Sequence, residues 1–575
     1  MLDKKWIIKN EPSEEFQKMH PKLHPIILKL LYTRGIKDPN EVDLFLNPLY
    51  EQLHDPFLFK DMNIAVDRVL QAIENKESIV IHGDYDADGV TSSAILYKTL
   101  KVLGANVEVF IPHREKDGYG VSIKTIKTFV GKYQLMITVD CGVSNVDEIR
   151  YAGSKGIDVI VTDHHDIPPV LPSALAIINP KIEGETYPFK SLCGAGVAYK
   201  LACAVLQKQK INPKALNVWG GAEGFAKWLL DLVAIGTVAD VMPLIGENRI
   251  LVKYGLKVLA ATKRIGLKDL AEISSIDLTK EDGYIIGFQI APRLNAAGRM
   301  THALYAFELL VTEDPVKSVE LASLLHATNS DRQKVTETSK AVALAQVENS
   351  LDDNLLFVYS EDIPGGIVGL IAGRLSDLYF KPSLVITKTG EHLVGSGRSI
   401  PNYDITKSLY KAQEVLSRFG GHSQACGFTL KGQDYLEKFK ELMVKDANEN
   451  IKKEDMVPVI NIDSEVTISN IDLSVVKQIE QLAPFGEANK KPVFVIRNIF
   501  ITAIDSLGNT GRHLRIMGKT DDSYVVQKFM LFGQGEVWRG IINIGDTVDL
   551  VVELGVNVWN GTESVDAKVL DIKKK

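Results

Sequence analysis

The chain has 575 residues, too many for one hydrophobic core, and at ordinary domain sizes it holds about three or four domains. Apolar residues make up 45% and charged residues 24%, as in an ordinary globular protein, and no apolar run is long enough to span a bilayer. A formal net charge of −7 gives no global basic signal for a polyanionic partner, although a basic groove can be local and metal-binding carboxylates lower the total.

The N-terminus, Met1 to Trp6, lacks the apolar core of a secretory signal. The four scattered cysteines, Cys141, Cys193, Cys203 and Cys426, show neither metal-ligand spacing nor a disulfide framework. Both points fit a reducing, cytoplasmic setting. Residues 1–62 hold scattered prolines and mixed charge, with Trp6 as one large anchor, and read as an N-terminal arm without chemistry of its own.

From Asn63 the pattern becomes regular. Apolar runs at Ile79–Ile81, Val107–Ile111, Leu135–Val139, Val159–Val161 and Ala176–Ile178 alternate with helix-like segments, which predicts an α/β domain with a mostly parallel, doubly wound sheet over residues 63–300. The first run ends in His82-Gly-Asp84-Tyr-Asp86-Ala-Asp88-Gly89. Three carboxylates so close together repel one another and need a counter-charge. They follow the carboxyl end of a strand, where open α/β sheets place their ligands, so a divalent metal ion is the expected counter-charge. A solvated acidic turn is the bland alternative. A calcium loop is the weaker reading, because Ile95 stands where its closing Glu belongs.

Two further strand tips carry chemistry: Asp140-Cys141-Gly142, and Asp163-His164-His165-Asp166. Each alone reads as a helix cap or a structural pair, but in a parallel sheet all three tips emerge on one edge. Imidazole plus several carboxylates suits Mn²⁺, with Mg²⁺ tolerated where oxygens dominate. So many anionic ligands can hold two ions, the arrangement for in-line attack of water on a phosphodiester. Later, Asp240 lies in a Gly-Thr…Asp-x-x-Pro turn and is the favoured further ligand, while Asp231 in the preceding apolar run reads equally as a buried partner.

In this order, His82-x-x-x-Asp86-x-Asp88, Asp140, Asp163-His164-His165 and Asp240 resemble the four motifs of the DHH phosphoesterase superfamily. Within it, Cys193-Gly-Ala-Gly-Val-Ala, Ala291-Pro-Arg-Leu-Asn-Ala-Ala-Gly-Arg299 and Gly420-Gly421-His422 resemble the RecJ single-strand-specific exonucleases. The resemblance implies two metal ions, one held by His82, Asp86 and Asp140, the other by Asp88, Asp140, His164 and Asp240, with Asp140 bridging. It places His165 beside the scissile phosphate.

Arg293 and Arg299 flank a small-residue turn and could fork onto phosphate oxygens or onto the acidic cluster. His113-Arg114, before Gly118-Tyr119-Gly120, is another candidate phosphate contact. Asp314-Pro315 signals a helix start, and a pattern without glycine or further proline runs to about Asn349, which predicts a helical linker over residues 301–350. A second α/β domain follows over 351–455, with strands at Leu355–Tyr359 and from Ser383, and a helix over Ile405–Phe419. Gly395-Ser396-Gly397-Arg398 and Gly420-Gly421-His422 read as glycine-rich loops that let a backbone approach a phosphate. Together they are similar to the DHH-associated clamp domain. That likeness implies substrate contacts at Arg114, Arg293 or Arg299, Ser396, Arg398 and His422. Relatives usually carry a His near the turn that here begins with Pro364.

Residues 456–575 change to short alternating strands, Val493–Ile496, Phe500–Ile504, His513–Ile516, Lys528–Phe532, Asp546–Glu553 and Val565–Ile572, with turns at Gly508-Asn509 and Asn560-Gly561. That number and length suggest a small barrel of the OB type, which binds single strands by stacking bases on aromatics. Phe485, Phe529, Phe532 and Trp559 are available, with Arg512, Arg515 and Lys519 as local cations. Leu482 to Asn489 again resembles the RecJ family, some members of which carry one more C-terminal domain that is not expected here. The function that this resemblance implies is a Mn²⁺- or Mg²⁺-dependent exonuclease that degrades single-stranded DNA from the 5′ end, in DNA repair and recombination. A single-strand-binding protein and a helicase are the expected partners. A phosphodiesterase for oligoribonucleotides or cyclic dinucleotides, and a non-catalytic DNA-binding scaffold, are the alternatives.

Overall fold

The computed structural model describes residues 3–114, 117–118, 120–210, 214–508, 511–521 and 525–575. Tyr119 and Asn509, both singled out in the sequence, lie outside the described residues. The chain forms two compact units, one of Lys9–Thr328 with Asp463–Lys575, the other of Met1–Ile8 with Asn329–Ile462.

The first unit is built on a five-stranded sheet: β1 (Ser78–Gly83), then α1 (Ala87–Val102), β2 (Asn106–Phe110), β3 (Leu135–Val139), β4 (Asp158–Thr162) and β5 (Ala176–Ile178). Strand order is β2-β1-β3-β4-β5 and every pairing is parallel. Parallel strands are covered on both faces, which is why each reads as an unbroken apolar run, and Ile79, Ile81, Leu135, Ile137 and Ile160 are fully buried. One face is covered by α1, α2 (Gly194–Lys208) and α3 (Leu230–Ala239), which share one large core with the sheet. A π-helix, Ile285–Ile290, runs directly into α4 (Ala291–Met300).

Asp314 caps the long helix α5 (Pro315–Val347), accepting from the Val316 and Lys317 amides at 2.9 and 3.3 Å, as the Asp-Pro signal predicts. In the second unit, β6 (Leu356–Tyr359), β7 (Ser383–Thr389), β8 (His392–Arg398), β9 (Leu416–His422) and β10 (Ala425–Leu430) form a mixed sheet in the order β9-β10-β8-β7-β6. Two expectations are corrected here. The Gly395–Arg398 segment is strand rather than loop, and the helix from Ile405 stops at Lys411, so Gly420, Gly421 and His422 end a strand. The glycines answer to packing. A Cβ on Gly395 would sit 2.3 Å from the Phe428 ring, and one on Gly397 2.7 Å from Cys426 Sγ.

The C-terminal strands β11 (Val493–Leu507), β12 (His513–Lys519), β13 (Gln527–Leu531), β14 (Thr547–Trp559) and β15 (Thr562–Lys574) pair in the circuit β11-β12-β13-β15-β14-β11, a closed barrel of the OB type. The predicted strands Val493–Ile496 and Phe500–Ile504 are one strand, bent by a register shift between Ile496 and Ile499. Residues 1–62, expected as an arm, hold three helices whose Phe16, Leu30, Leu31 and Phe45 share the core beneath the barrel with Phe494, Ile496 and Leu550. Lys5–Ile8 pairs in parallel with Val459–Ile462.

One buried cation ties the sheet domain to the barrel. Arg249, 1% exposed, lies over the Phe45 ring and donates to the carbonyls of Phe45, Leu482, Gln481 and Ala483 at 2.8–3.4 Å. Only a planar guanidinium reaches carbonyls on two sides at once. Replacing Arg249 with Met strands these acceptors and should cost about 3 kcal/mol in chemical denaturation, and Arg249→Lys should recover less than half of that.

Candidate metal centre

Each metal-ligand candidate is placed by a strand tip or a helix end. The β1 tip turns into α1 at Asp86, whose side chain caps the helix by accepting from the Asp88 and Gly89 amides at 2.9 and 3.1 Å. Asp88, 1% exposed, accepts from the Gly194 and Ala195 amides at 2.7 and 2.8 Å, so the N-terminus of α2 points its positive end at this carboxylate. That contact explains the small residues after Cys193. A Cβ on Gly194 would sit 2.6 Å from Asp140, and one on Gly236 of α3 would sit 2.5 Å from Asp88 Oδ1. Asp140, just past β3, adopts a left-handed φ of 59°, backbone strain of the kind that concentrates at functional sites. Asp240 caps α3 and is followed by Val241, also left-handed at φ 55°.

These groups converge. His164 Nε2 lies 3.1 Å from Asp140 Oδ1, 3.6 Å from Asp240 Oδ2 and 3.8 Å from Asp88 Oδ2. Donor atoms fall into three overlapping groups within mutual reach of 4.8 Å: Asp88, His164 and Asp240; Asp84, Asp86 and Asp140; and Asp140, His164 and His165. Among the described residues, Asp84 Oδ1, His164 Nδ1 and His82 Nε2 are buried without a hydrogen-bond partner. Orphaned oxygens and nitrogens of this kind, in a site lined by carboxylate and imidazole, fit a pair of divalent cations.

The electrostatics agree. Burial, then the neighbouring carboxylates Asp88, Asp86, Asp84 and Asp240, holds Asp140 well above its ordinary pKa. Burial and Asp86 push Asp88 up to about 6, and burial with Asp88 and Asp86 pushes Asp240 up to about 8. Burial brings His164 down to about 3 and His82 down to about 4, leaving both neutral. His165 differs. Burial opposes its charge, but the 2.8 Å contact of its Nδ1 with Asp163 wins and raises it to about 9. Asp163, nearly inaccessible, is held below its usual range against burial by His165 and the Val143 amide.

The structure thus brings Asp86, Asp88, Asp140, His164, His165 and Asp240 together. His82 is outside all three groups. Its ring lies 5.3 Å from that of Phe110, with Nδ1 3.8 Å from Cys141 Sγ, and Asp84 stands with Asp86 and Asp140 in the place expected for it. Asp231 belongs elsewhere, paired with Arg264 at 3.0 Å and Thr262 at 2.9 Å. Arg293 and Arg299 lie on a helix, not around a turn. Arg299 lines a cavity of about 270 Å³ with His113, Arg114 and His302, and Arg114 lies over the ring of Tyr85 inside the acidic tip. Arg293 instead donates to the Gln289 carbonyl at 2.6 Å. Asn295, between the two arginines, accepts from the Ala87 amide at 2.8 Å and so braces the tip. Its place inside the Ala291–Arg299 motif was the only signal for it.

In the second unit, Ser396, Arg398 and Gly420–His422 are gathered across β10, with Arg398 Nη1 donating to Ser396 Oγ at 3.1 Å. In the barrel, Phe529 is buried and Phe485 packs against the core, whereas Phe532 and Trp559 are 48% and 73% exposed. Among the described residues, no helix is long and apolar enough to cross a membrane.

Comparison with known proteins follows the same domain order. The DHH family N-terminal domain matches residues 78–237, the DHHA1 domain 352–453 and the RecJ OB domain 462–571. The chain is 35% identical over 573 residues to the single-stranded-DNA-specific exonuclease RecJ of Bacillus subtilis, covering 99% of this chain and 70% of that protein. It is 33% identical to the Haemophilus influenzae protein of the same name, over 95% of this chain and 96% of the other. The crystal structure of RecJ in complex with Mn²⁺ from Thermus thermophilus superposes with a TM-score of 0.83 at 27% identity, over 99% of this chain and 80% of that one. With the three domains in order and identity sustained along nearly the whole length, the chain belongs to the RecJ family of single-stranded-DNA-specific exonucleases.

Proposed function

We propose that this chain is a Mn²⁺- or Mg²⁺-dependent exonuclease that hydrolyses single-stranded DNA from its 5′ end to mononucleotides, in DNA repair and recombination. The observation that carries this is the meeting of Asp88, Asp140, His164 and Asp240 around His164 Nε2, beside a cavity lined by Arg114 and Arg299. Asp84, Asp86 and Asp140 would hold one ion and Asp88, Asp140, His164 and Asp240 the other. Bound there, divalent ions neutralise the scissile phosphate and lower the pKa of the attacking water.

The chain's own groups do the rest. Asp163 fixes His165 through Nδ1 and, without metal, favours its charged form, in which Nε2–H would donate to a phosphate oxygen. Arg114 and Arg299 supply forked donors for the terminal phosphate, which sets the polarity. Ser396, Arg398, Gly420, Gly421 and His422 form the second substrate-contacting group. The barrel, with Phe532 and Trp559 exposed, suits a long unpaired strand and argues against a dinucleotide substrate. An enzyme that needs unpaired strand works with a helicase and a single-strand-binding protein.

Digestion of end-labelled strands tests this reading. Mononucleotides should appear from long single strands with Mn²⁺ or Mg²⁺ and not with chelator. Asp140→Ala, which removes a carboxylate that would serve both ion sites, should lower the rate by more than about 10²-fold, the upper loss for a mere outer-shell partner. Strand binding without cleavage, or cleavage of dinucleotides alone, defeats it.

Proton linkage gives a second test. Raised carboxylates such as Asp88 and Asp240 stabilise the metal-free fold fully below their unfolded pKa, and that stability is lost as pH rises through about 6 and about 8. His165, raised to about 9, acts in the same direction. His82 and His164, lowered to about 4 and about 3, act oppositely, but only below their unfolded pKa near 6.5. From pH 6.5 to 8.5 the metal-free protein should therefore lose thermal stability, and the rise in Tm on adding Mn²⁺ should grow. A rise that is constant or shrinks over this range contradicts the charge cluster as described.

A further inference from the structure

Two large aromatic side chains beside the metal centre have no role in the site described so far. Tyr284 and Phe288 are 55% and 69% exposed, yet their rings stack on each other with centroids 4.7 Å apart and planes 21° from parallel. Tyr284 immediately precedes the π-helix and Phe288 lies within it, while its Ile285, Ile286 and Ile290 are buried and anchor it. Stacked together, the two rings make one contiguous apolar face rather than singly exposed side chains, and such faces mark interaction sites; π-helical turns are also frequent at functional sites.

Their position says what covers them. The π-helix packs against the end of α3 that carries Asp240, where a Cβ on Gly287 would lie 3.6 Å from Val238 Cγ1. It continues without a break into α4, whose Asn295 braces the acidic tip and whose Arg299 lines the cavity shared with Arg114. One helical rod therefore carries, in sequence, the aromatic pair, a contact to the acidic tip and the arginine assigned above to the terminal phosphate. Phe288 and Arg299 are about 16 Å apart along it at the helical rise, room for no more than about five nucleotides at the 3.4 Å stacked spacing. Immediately before the pair, a Cβ on Gly283 would lie 3.2 Å from the Phe485 carbonyl, in the segment that leads to the barrel.

We propose that Tyr284 and Phe288 form a stacking platform for nucleobases of the single strand on the 3′ side of the scissile phosphate, within the first few nucleotides. The inference rests on the nuclease reading above for the direction of the strand. A flat aromatic face takes any base, so the platform grips strand without reading sequence. A paired base keeps its faces stacked in the duplex, so the platform favours unpaired strand.

The test uses 5′-phosphorylated oligonucleotides carrying the fluorescent base 2-aminopurine at one position from the second to the eighth, bound by full-length protein in chelator at low salt. Stacking on an aromatic ring should quench one or two adjacent positions between the third and the fifth. In Y284A/F288A that quenching should vanish and affinity should fall about tenfold, the weight of a stacked base, while F288W should retain both. Normal Mn²⁺-induced thermal stabilisation of Y284A/F288A would show that its fold and metal centre are intact. Unchanged quenching in Y284A/F288A, or quenching in the native protein confined to positions beyond the fifth, overturns the proposal. So does normal strand binding by the double variant, which would assign the pair to a protein partner. Quenching as expected with no hydrolysis in Mn²⁺ would leave the platform standing and remove the nuclease reading, so the two fail separately.

Discussion

Mutual repulsion among carboxylates at one edge of a parallel sheet is the constraint on which the molecule is built. Asp84, Asp86, Asp88, Asp140 and Asp240 come from three separate segments of the chain, and burial strips most of them of the water that would screen them. The surrounding protein relieves only part of that cost. The N-terminus of α2 donates two amides to Asp88, and a charged His165 stands nearby. The rest of the negative charge is left for cations. Small residues are a second requirement of the same cluster, because α2 and α3 approach it so closely that Gly194 and Gly236 have no room for a side chain.

Much of this was legible in the sequence, and for a physical reason. Parallel strands are buried on both faces, so they appear as short apolar runs, and whatever polar group follows such a run is delivered to one edge. Asp86, Asp88, Asp140, His164 and His165 were readable by that rule, whereas Asp240, at the end of α3, was read from its Gly-Thr…Asp-x-x-Pro turn. The choice between His82 and Asp84 was not, since two polar residues on one tip differ only in which way each side chain turns. Asn295 was hidden for another reason. It works through a backbone amide 208 positions away, and no local pattern announces such a contact.

Glycine was the main source of misreading. Around Gly395, Gly397, Gly420 and Gly421 its density suggested loops, yet all four lie in strands. At Gly395, Gly397 and Gly421 the missing side chains make room for Phe428, Cys426 and the neighbouring backbone, which is a tertiary fact, whereas a side chain at Gly420 would meet nothing. The first 62 residues misled in the opposite sense. Two of the scattered prolines, Pro25 and Pro39, begin short helices, and the apolar residues of those helices meet the barrel core only after folding brings distant ends of the chain together.

The way Arg249 joins the sheet domain to the barrel has a consequence for behaviour in salt. Its partners are neutral carbonyls in a buried setting, so dissolved ions barely reach the contact and have no opposing charge to screen. Grip on a nucleic-acid backbone, by contrast, weakens steeply with ionic strength because it depends on displacing counterions. Rising salt should therefore loosen a bound strand long before it loosens the barrel, leaving the protein in one piece as its polyanion departs.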